Sequence, residues 1–168
     1  MDTERARIEW LKCGESLGYF VVAYVRIYNA TDQAWVRFEL WPAQRSTLAR
    51  MVEERMLVVL KARQLGISWL CLAYALWLLV FRAPSTVLLF SLREAEAIEL
   101  LKRLKGMHER LPTWMQAKSV LRENDTTFEL SNGSRALAFS TKGGRSYTGT
   151  LALVDEADFV PDLSSCLL

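Results

Sequence analysis

A basic, glycine-containing turn at residues 61–68 lies between two apolar runs of unequal length. The first run, residues 56–60, has the length of a strand buried on both faces, and the second, residues 69–81, is long enough for several turns of helix. We therefore predict that a strand enters the turn and a helix leaves it, as in an α/β sheet. The start of such a helix carries unpaired N–H groups and the positive end of the helix dipole, so the turn is suited to bind phosphate.

The composition indicates a folded domain but does not identify a partner. With 168 residues, 51% of them hydrophobic, the chain can bury a sizeable core, which excludes a disordered chain. Since 21 basic and 19 acidic residues give a net charge of only +2, a role with nucleic acid has to be argued from motifs. Cys13, Cys71 and Cys166 form no C-x-x-C pair, so neither a zinc site nor a disulfide framework is indicated and a reducing compartment is expected.

The sequence shows neither a secretion signal nor a membrane span. Residues 1–5 are charged and lack the apolar stretch of a signal peptide, so secretion by that route is not expected. The apolar run at residues 69–81 is 13 residues long. Because roughly 20 residues are needed to cross a bilayer, we predict a buried helix there and no membrane partner.

Strand and helix patterns alternate through the rest of the chain. Residues 86–90 and 150–154 repeat the short apolar run of a buried strand, and residues 92–110 carry apolar side chains at helical spacing. Strands that alternate with helices predict a mainly parallel sheet. His108, late in the second helix, is expected on the surface.

The first 54 residues give mixed signals. Residues 4–17 are predicted to be a helix, whereas residues 19–28 fit either a strand or a buried helix. Residues 34–41 alternate with period two, which indicates a short strand, and a helix is predicted over residues 42–54.

A β-hairpin is predicted around Asn132 and Gly133. These two residues separate the strand-like runs at residues 126–131 and 134–140. Asn-Gly between two such runs is a strong signal for a β-hairpin.

The basic turn partly matches the phosphate-loop pattern G-x-x-x-x-G-K-[ST]. Gly66 and Ser68 occupy the second glycine and the hydroxyl position. Lys61 stands in place of the first glycine, and Ile67 in place of the lysine. Because Ile67 cannot neutralise a phosphate, the charge would have to come from Lys61, from Arg63 or from both. Taken alone, the pattern favours an ordinary solvated loop.

Two adjacent carboxylates, Asp155 and Glu156, follow the last predicted strand. Ligands of open α/β sheets bind at the carboxyl ends of the strands. In phosphate-loop ATPases an aspartate at this place helps to hold Mg²⁺, and a glutamate orients the attacking water. The pair could instead cap a helix. Because it lies 87 residues after Ser68 with strands between, the two motifs are more specific together than apart.

Gln44 is a third candidate, in the first turn of the helix predicted from Pro42. Taken alone it would be an ordinary solvated residue. An amide nevertheless both donates and accepts hydrogen bonds, as the edge of adenine requires, and Phe38 or Trp41 could cover the ring face. Its position 17 residues before the phosphate loop favours such a contact.

These motifs, in this order, resemble the ATPase domain of the large terminase subunit of tailed bacteriophages, the motor that packages DNA into procapsids. The resemblance runs from about residue 19 to residue 161. It implies a mainly parallel α/β sheet, the P-loop NTPase core of the RecA-like ASCE type, with a β-hairpin insertion. ATP and Mg²⁺ are the implied cofactors.

The resemblance also implies roles for individual residues. Gln44 would contact adenine, Ser68 and Asp155 would hold Mg²⁺, and Glu156 would position water. Arg63 and Glu156 are the implied catalytic residues, and Arg145 would be a phosphate sensor or a DNA-facing residue, with a solvated loop arginine as the alternative. The phosphate loop would consist of Lys61, Ala62, Arg63, Gln64, Leu65, Gly66, Ile67 and Ser68.

On this resemblance residues 1–41 are an N-terminal helix and lead-in segment, and residues 42–168 are a partial ATPase domain, truncated after the Walker B strand and without the nuclease domain. The implied partners are double-stranded DNA, the portal protein and the small terminase subunit, and the full-length protein is expected to form a ring of copies. The implied location is the host cytoplasm. Two alternatives remain open: a non-catalytic interaction module, and a helicase-type DNA-dependent ATPase with the same sheet.

Overall fold

The computed structural model of the protein describes residues 3–62, 64–116, 120–141, 143 and 147–157. The helices in these residues are α1 (Thr3–Glu15), α2 (Leu17–Tyr24), α3 (Pro42–Glu53), α4 (Ile67–Phe81) and α5 (Glu94–Glu109). The strands are β1 (Arg26–Asn29), β2 (Ala34–Arg37), β3 (Thr86–Ser91), β4 (Val120–Glu123), β5 (Thr127–Leu130), β6 (Arg135–Ser140) and β7 (Leu151–Val154).

A five-stranded mixed sheet organises the molecule, with strand order β4-β5-β6-β3-β7. Strands β6, β3 and β7 are parallel, and β5 and β4 extend the sheet in antiparallel pairing. At the centre, Leu88 lies opposite Leu137 on one side and Ala152 on the other. Strand β3 is almost entirely buried. On one face Val87 and Leu89 belong to the main core with the helices, and on the other Leu88 and Phe90 cluster with Leu137 of β6. The predicted α/β sheet is confirmed.

Helix α4 follows the basic turn, as predicted, and is apolar on all sides. Such a helix is stable only when it is surrounded by protein, and most of its side chains are buried. It has 15 residues, fewer than the roughly 20 that cross a bilayer. Within the described ranges, no helix combines the length and the apolar character that a membrane crossing needs.

The predicted hairpin is confirmed between β5 and β6. Gly133 adopts a φ of 85°, and its N–H donates to the carbonyl of Leu130. The side chain of Asn132 bonds in both directions. Its Oδ1 accepts from the N–H of Ser134, and its Nδ2 donates to the carbonyl of Leu79 at 2.8 Å. The hairpin is therefore fixed to the last turn of α4, and β6 joins the main sheet beside β3.

The N-terminal segment packs on the same core as the sheet. Ser16 separates the first two helices and caps α2, since its hydroxyl accepts from the N–H of Tyr19. The ambiguous stretch at residues 19–28 is helix as far as Tyr24 and strand from Arg26. Phe20 is fully buried and belongs to one hydrophobic cluster with Leu70 of α4. Residues 1–41 and 42–168 thus contribute side chains to one core.

Two predictions are wrong. Residues 56–60 are not a buried strand: they have no strand structure, and Met56, Val58 and Leu60 are 71%, 83% and 93% exposed. A strand needs a neighbouring strand for its backbone hydrogen bonds, and within the described residues the sheet order leaves none beside this segment. His108 is buried rather than on the surface, because its ring packs edge-on against Phe128 of the adjoining strand.

Candidate functional site

A cavity of about 490 Å³ opens where β3 and β7 end and α4 begins. This is the edge at which open α/β sheets bind ligands. The basic turn, α4 and the strand ends contribute Lys61, Gln64, Ser68, Ser91, Asp155 and Glu156 to its lining. Helix α5 contributes Ala95, Glu96, Glu99, Leu100 and Arg103. The structure therefore brings the basic turn and the acidic pair, with Ser68 and Asp155 separated by 87 residues, into one cavity.

The hydroxyl of Ser68 donates to Oδ2 of Asp155 at 2.9 Å, across 87 residues of sequence. Asp155 is held at the end of the sheet because its N–H donates to the carbonyl of Phe90 in β3. A hydroxyl and a carboxylate are hard oxygen ligands that fit Mg²⁺, which takes its remaining ligands from phosphate and water. No group of three or more His, Cys, Asp or Glu side chains in the described residues could form a metal site by itself.

The backbone of the turn is shaped for close approach. Gly66 has a φ of 69° and stands at the N-cap of α4, where it offers no side chain to the free N–H groups of the first turn. Gln64 has a φ of 63°, a conformation that costs a side-chain-bearing residue about 1 kcal/mol or more. Strained backbone of this kind clusters at functional sites.

The side chains of the turn divide into outward and inward groups. Lys61 lines the cavity, whereas Ile67, at the place of the usual lysine, is buried in the core. Ala62 and Leu65 are exposed and do not line the cavity. Arg63, predicted to supply charge and to assist catalysis, lies outside the described residues, as does Arg145. The cation that the described part of the turn presents to the cavity is therefore Lys61.

Gln44 is buried, so the interpretation as an ordinary solvated residue is excluded. Its Nε2 donates to the carbonyl of Leu65 at 2.9 Å, and its Oε1 accepts from the N–H of Trp41 at 2.9 Å. The amide therefore joins the start of α3 to the turn from behind, a bracing role that sequence reasoning missed. Of the two aromatic candidates, Phe38 is 3% exposed and Trp41 is 58% exposed, so only Trp41 has a free ring face to offer. Contact of Gln44 with adenine stays a prediction.

Glu156 projects from a strained position beside the metal candidates. Its φ is 54°, its side chain is exposed to the cavity, and its N–H donates to Oδ1 of Asp155 at 3.2 Å. Asp155 thus uses one oxygen to fix the backbone of its neighbour and the other to bind Ser68. The two carboxylates have different surroundings, which suits different roles.

Cys71 adds no nucleophile to the site. Burial raises the pKa of its thiol to about 12, and the nearby Asp155 carboxylate adds to the rise. A thiol with so high a pKa is protonated at neutral pH, and the thiolate is the reactive form.

The α5 side of the cavity was missed by sequence reasoning. Ser91 ends β3 and donates its hydroxyl to Oε2 of Glu96 at 2.9 Å, and the same oxygen accepts from the N–H of Arg93 at 3.2 Å. One helical turn further, Nε of Arg103 donates to Oε1 of Glu99 at 3.2 Å. The spacing of Glu96, Glu99 and Arg103 along one helix face was visible in the sequence, but not which end of the sheet that face adjoins.

No family model matches the chain. Among solved structures, the fold is similar to that of the large terminase of HK97 bacteriophage, with a TM-score of 0.68 and 18% sequence identity. The match covers 88% of this chain and 32% of that chain, so this protein spans about a third of the length of its structural neighbour. The likeness shows the fold, and it confirms the predicted α/β architecture.

Proposed function

We propose that the protein is the ATP-binding and ATP-hydrolysing part of a terminase-type motor that drives DNA packaging. The observation that carries the proposal is the hydrogen bond between Ser68 and Asp155, which unites the phosphate-loop hydroxyl with the acidic pair. Two unrelated solvated features would have no reason to meet at the carboxyl edge of the sheet. The likeness in fold to the HK97 large terminase supports the same assignment.

Each part of the site has a task in this proposal. Ser68 and Asp155 hold Mg²⁺, which when bound neutralises charge on the phosphate oxygens. Lys61 lines the cavity and neutralises phosphate where Ile67 cannot, together with Arg63 of the same turn. Arg63 also stabilises the charge that develops during phosphoryl transfer.

Glu156 orients and polarises the attacking water, since its side chain is exposed and lines the cavity beside Ser68 and Asp155. Gln44 contacts adenine with the amide hydrogens and lone pairs that its two protein contacts leave unused. Trp41 covers the ring face, because it is the exposed member of the aromatic pair.

The wider assembly follows from the same proposal. Double-stranded DNA is the substrate that is moved, and the portal protein and the small terminase subunit are the partners in the packaging complex. In the full-length protein, copies would assemble into a ring in the cytoplasm of the host. Arg145 belongs to the glycine-rich basic stretch of sequence before β7 and serves as phosphate sensor or DNA contact.

Binding of Mg²⁺-ATP by the purified chain tests the proposal. We expect Lys61→Ala, Arg63→Ala and Ser68→Ala each to weaken binding at least roughly tenfold, because each removes a charge-assisted contact to phosphate or metal. Lys102→Ala, on an exposed face of α5 away from the cavity, is the matched control. Unchanged affinity in variants that circular dichroism shows to be folded would refute nucleotide binding at this site.

A second candidate, a module that binds partners without hydrolysing ATP, is favoured by the burial of Ile67 at the lysine position. Glu156→Gln separates the two functions. If the chain is an ATPase, this variant should bind Mg²⁺-ATP normally and lose turnover and packaging. Packaging and portal binding that both survive the change would support the non-catalytic module.

A further inference from the structure

Helix α5 places a positive charge in the cavity that the proposed function leaves unused. Among the cavity-lining residues that the structure describes, the cations are Lys61 and Arg103. They face the carboxylates of Glu96, Glu99, Asp155 and Glu156. Among these described residues the negative side chains outnumber the positive ones, so a nucleoside triphosphate in the cavity would be stabilised by a further cation directed at its phosphates.

One nitrogen of the Arg103 guanidinium is bound to a neighbouring carboxylate on the same helix. Its Nε lies 3.2 Å from Oε1 of Glu99, and its side chain is 37% exposed. The group also lies over the ring of Trp69, with its central carbon 5.5 Å from the ring centroid. In the described ranges its hydrogen bonds involve only Nε. Its two terminal nitrogens are therefore available to grip a phosphate through two parallel bonds.

The position of Arg103 favours contact with the terminal phosphate of a nucleotide rather than with its base. Gln44, the candidate for adenine, lies behind the turn and does not line the cavity. Arg103 does line it, together with Ser68 and Glu156. Since Glu156 is the residue proposed to direct water at the terminal phosphate, the α5 wall and the reacting end of the nucleotide share one space.

We propose that Arg103 leaves Glu99 to bind the terminal phosphate of a nucleoside triphosphate, so that this pair distinguishes triphosphate from diphosphate. The inference rests on the proposed function and adds a specificity-determining residue to it. Trp69 directly follows Ser68 in the chain and carries the guanidinium on its ring face. Its fluorescence should therefore respond when the arginine moves.

The test measures dissociation constants of the full chain for Mg²⁺-bound ADP and for a non-hydrolysable ATP analogue. Arg103→Ala should raise the constant for the triphosphate by about tenfold and that for the diphosphate by less than about twofold. Arg103→Lys keeps the positive charge but loses the planar pair of N–H donors, so it should give an intermediate loss of affinity for the triphosphate. Glu99→Gln should lower the dissociation constant for the triphosphate, because it removes the carboxylate that competes for Arg103.

Tryptophan emission supplies a second readout. The triphosphate should change the emission of the wild type more than the diphosphate does, and the difference should disappear in both Arg103→Ala and Trp69→Phe. Lys102→Ala, next to Arg103 but outside the cavity, should behave as the wild type.

Equal losses for both nucleotides, or no loss, in Arg103→Ala and Arg103→Lys would overturn the inference and leave nucleotide binding intact. If Arg103→Ala fails to fold, Arg103→Lys and Glu99→Gln decide. A folded wild type that binds neither nucleotide would overturn both this inference and the proposed function.

Discussion

At the scale of single residues, Gly66 is the position in the turn where the backbone conformation and the neighbouring atoms least tolerate a side chain. Its φ is 69°, and an added Cβ would lie 3.0 Å from Nε2 of Gln44, the atom that braces the turn. We expect Gly66→Ala to lower the free energy of unfolding by about 1–2 kcal/mol and to weaken Mg²⁺-ATP binding. Gly133→Ala is the control, because Gly133 also has a positive φ, 85°, but lies in the hairpin turn.

Both glycine variants should lose stability in urea denaturation, and only Gly66→Ala should lose nucleotide affinity. Equal affinity losses in the two variants would mean that the turn at residues 61–68 responds to global stability and not to its local shape.

His108 gives the fold a pH dependence with a defined sign. Burial lowers the pKa of its imidazole below 6.5, and this effect exceeds the opposing effects of Glu109 and Glu123. As the pH falls below 6.5, His108 is protonated in the unfolded chain while it is still neutral in the folded chain. The free energy of unfolding therefore falls. We expect urea denaturation to show less stability at pH 5.5 than at pH 7.5, and His108→Phe to reduce that difference. An equal difference in His108→Phe would assign it to other groups.

The carboxylate of Glu9 titrates in a separate range. Hydrogen bonds from Tyr19 and Tyr24 hold its pKa at about 2, below the ordinary 4.5. Its contribution is therefore present at both pH values of the His108 experiment and is lost only in stronger acid.

At the scale of elements, a close contact joins α5 to the small sheet of β1 and β2. An added Cβ at Gly106 would lie 2.5 Å and 2.7 Å from two atoms of the Trp35 ring. That ring is already held by Arg110, whose guanidinium lies 3.9 Å from its centroid, and it meets the ring of Trp69 edge-on. Trp35 therefore has little freedom to move away, and a shift would press on the residue after Ser68.

We expect Gly106→Ala to destabilise the protein by roughly 1–2 kcal/mol, because overpacking outweighs the gain of about 1 kcal/mol in helix propensity. In a Trp35→Ala background the same change should be stabilising. A double-mutant cycle in urea, followed by near-ultraviolet circular dichroism of the tryptophans, measures the difference. Additive effects of the two changes would contradict the contact.

The elements that could be predicted from the sequence are those whose signals are local. Helix α4 follows from an unbroken apolar run, and the hairpin from Asn132 and Gly133. The prediction of a strand at residues 56–60 was wrong because an apolar run becomes a strand only when another strand lies beside it. That depends on distant parts of the chain. The convergence of Ser68 and Asp155 was predictable because a general rule places ligands at strand ends. The contribution of Arg103 was not, since it depends on how α5 packs across that edge.

At the scale of the whole molecule, the N-terminal helices and the sheet share one hydrophobic cluster that includes Phe20, Leu70 and Leu89. We expect Phe20→Ala to cost about 3–5 kcal/mol, since it removes a fully buried aromatic side chain. Tryptophan fluorescence and far-ultraviolet circular dichroism should then report the same single transition in urea, shifted to lower concentration. Two separate transitions would show that residues 1–41 fold apart from the rest.

The attachment of the hairpin turn to α4 gives that helix a mechanical character. It begins beside the phosphate-loop candidate at Gly66. About 15–20 Å away, toward its other end, it makes two hydrogen bonds: Nε1 of Trp77 donates to the carbonyl of Cys13, and the carbonyl of Leu79 accepts from Nδ2 of Asn132. A helix held in this way cannot shift along its axis at one end alone. If a bound nucleotide displaces the start of α4 at Gly66, the displacement must either move the hairpin and α1 or break those two hydrogen bonds.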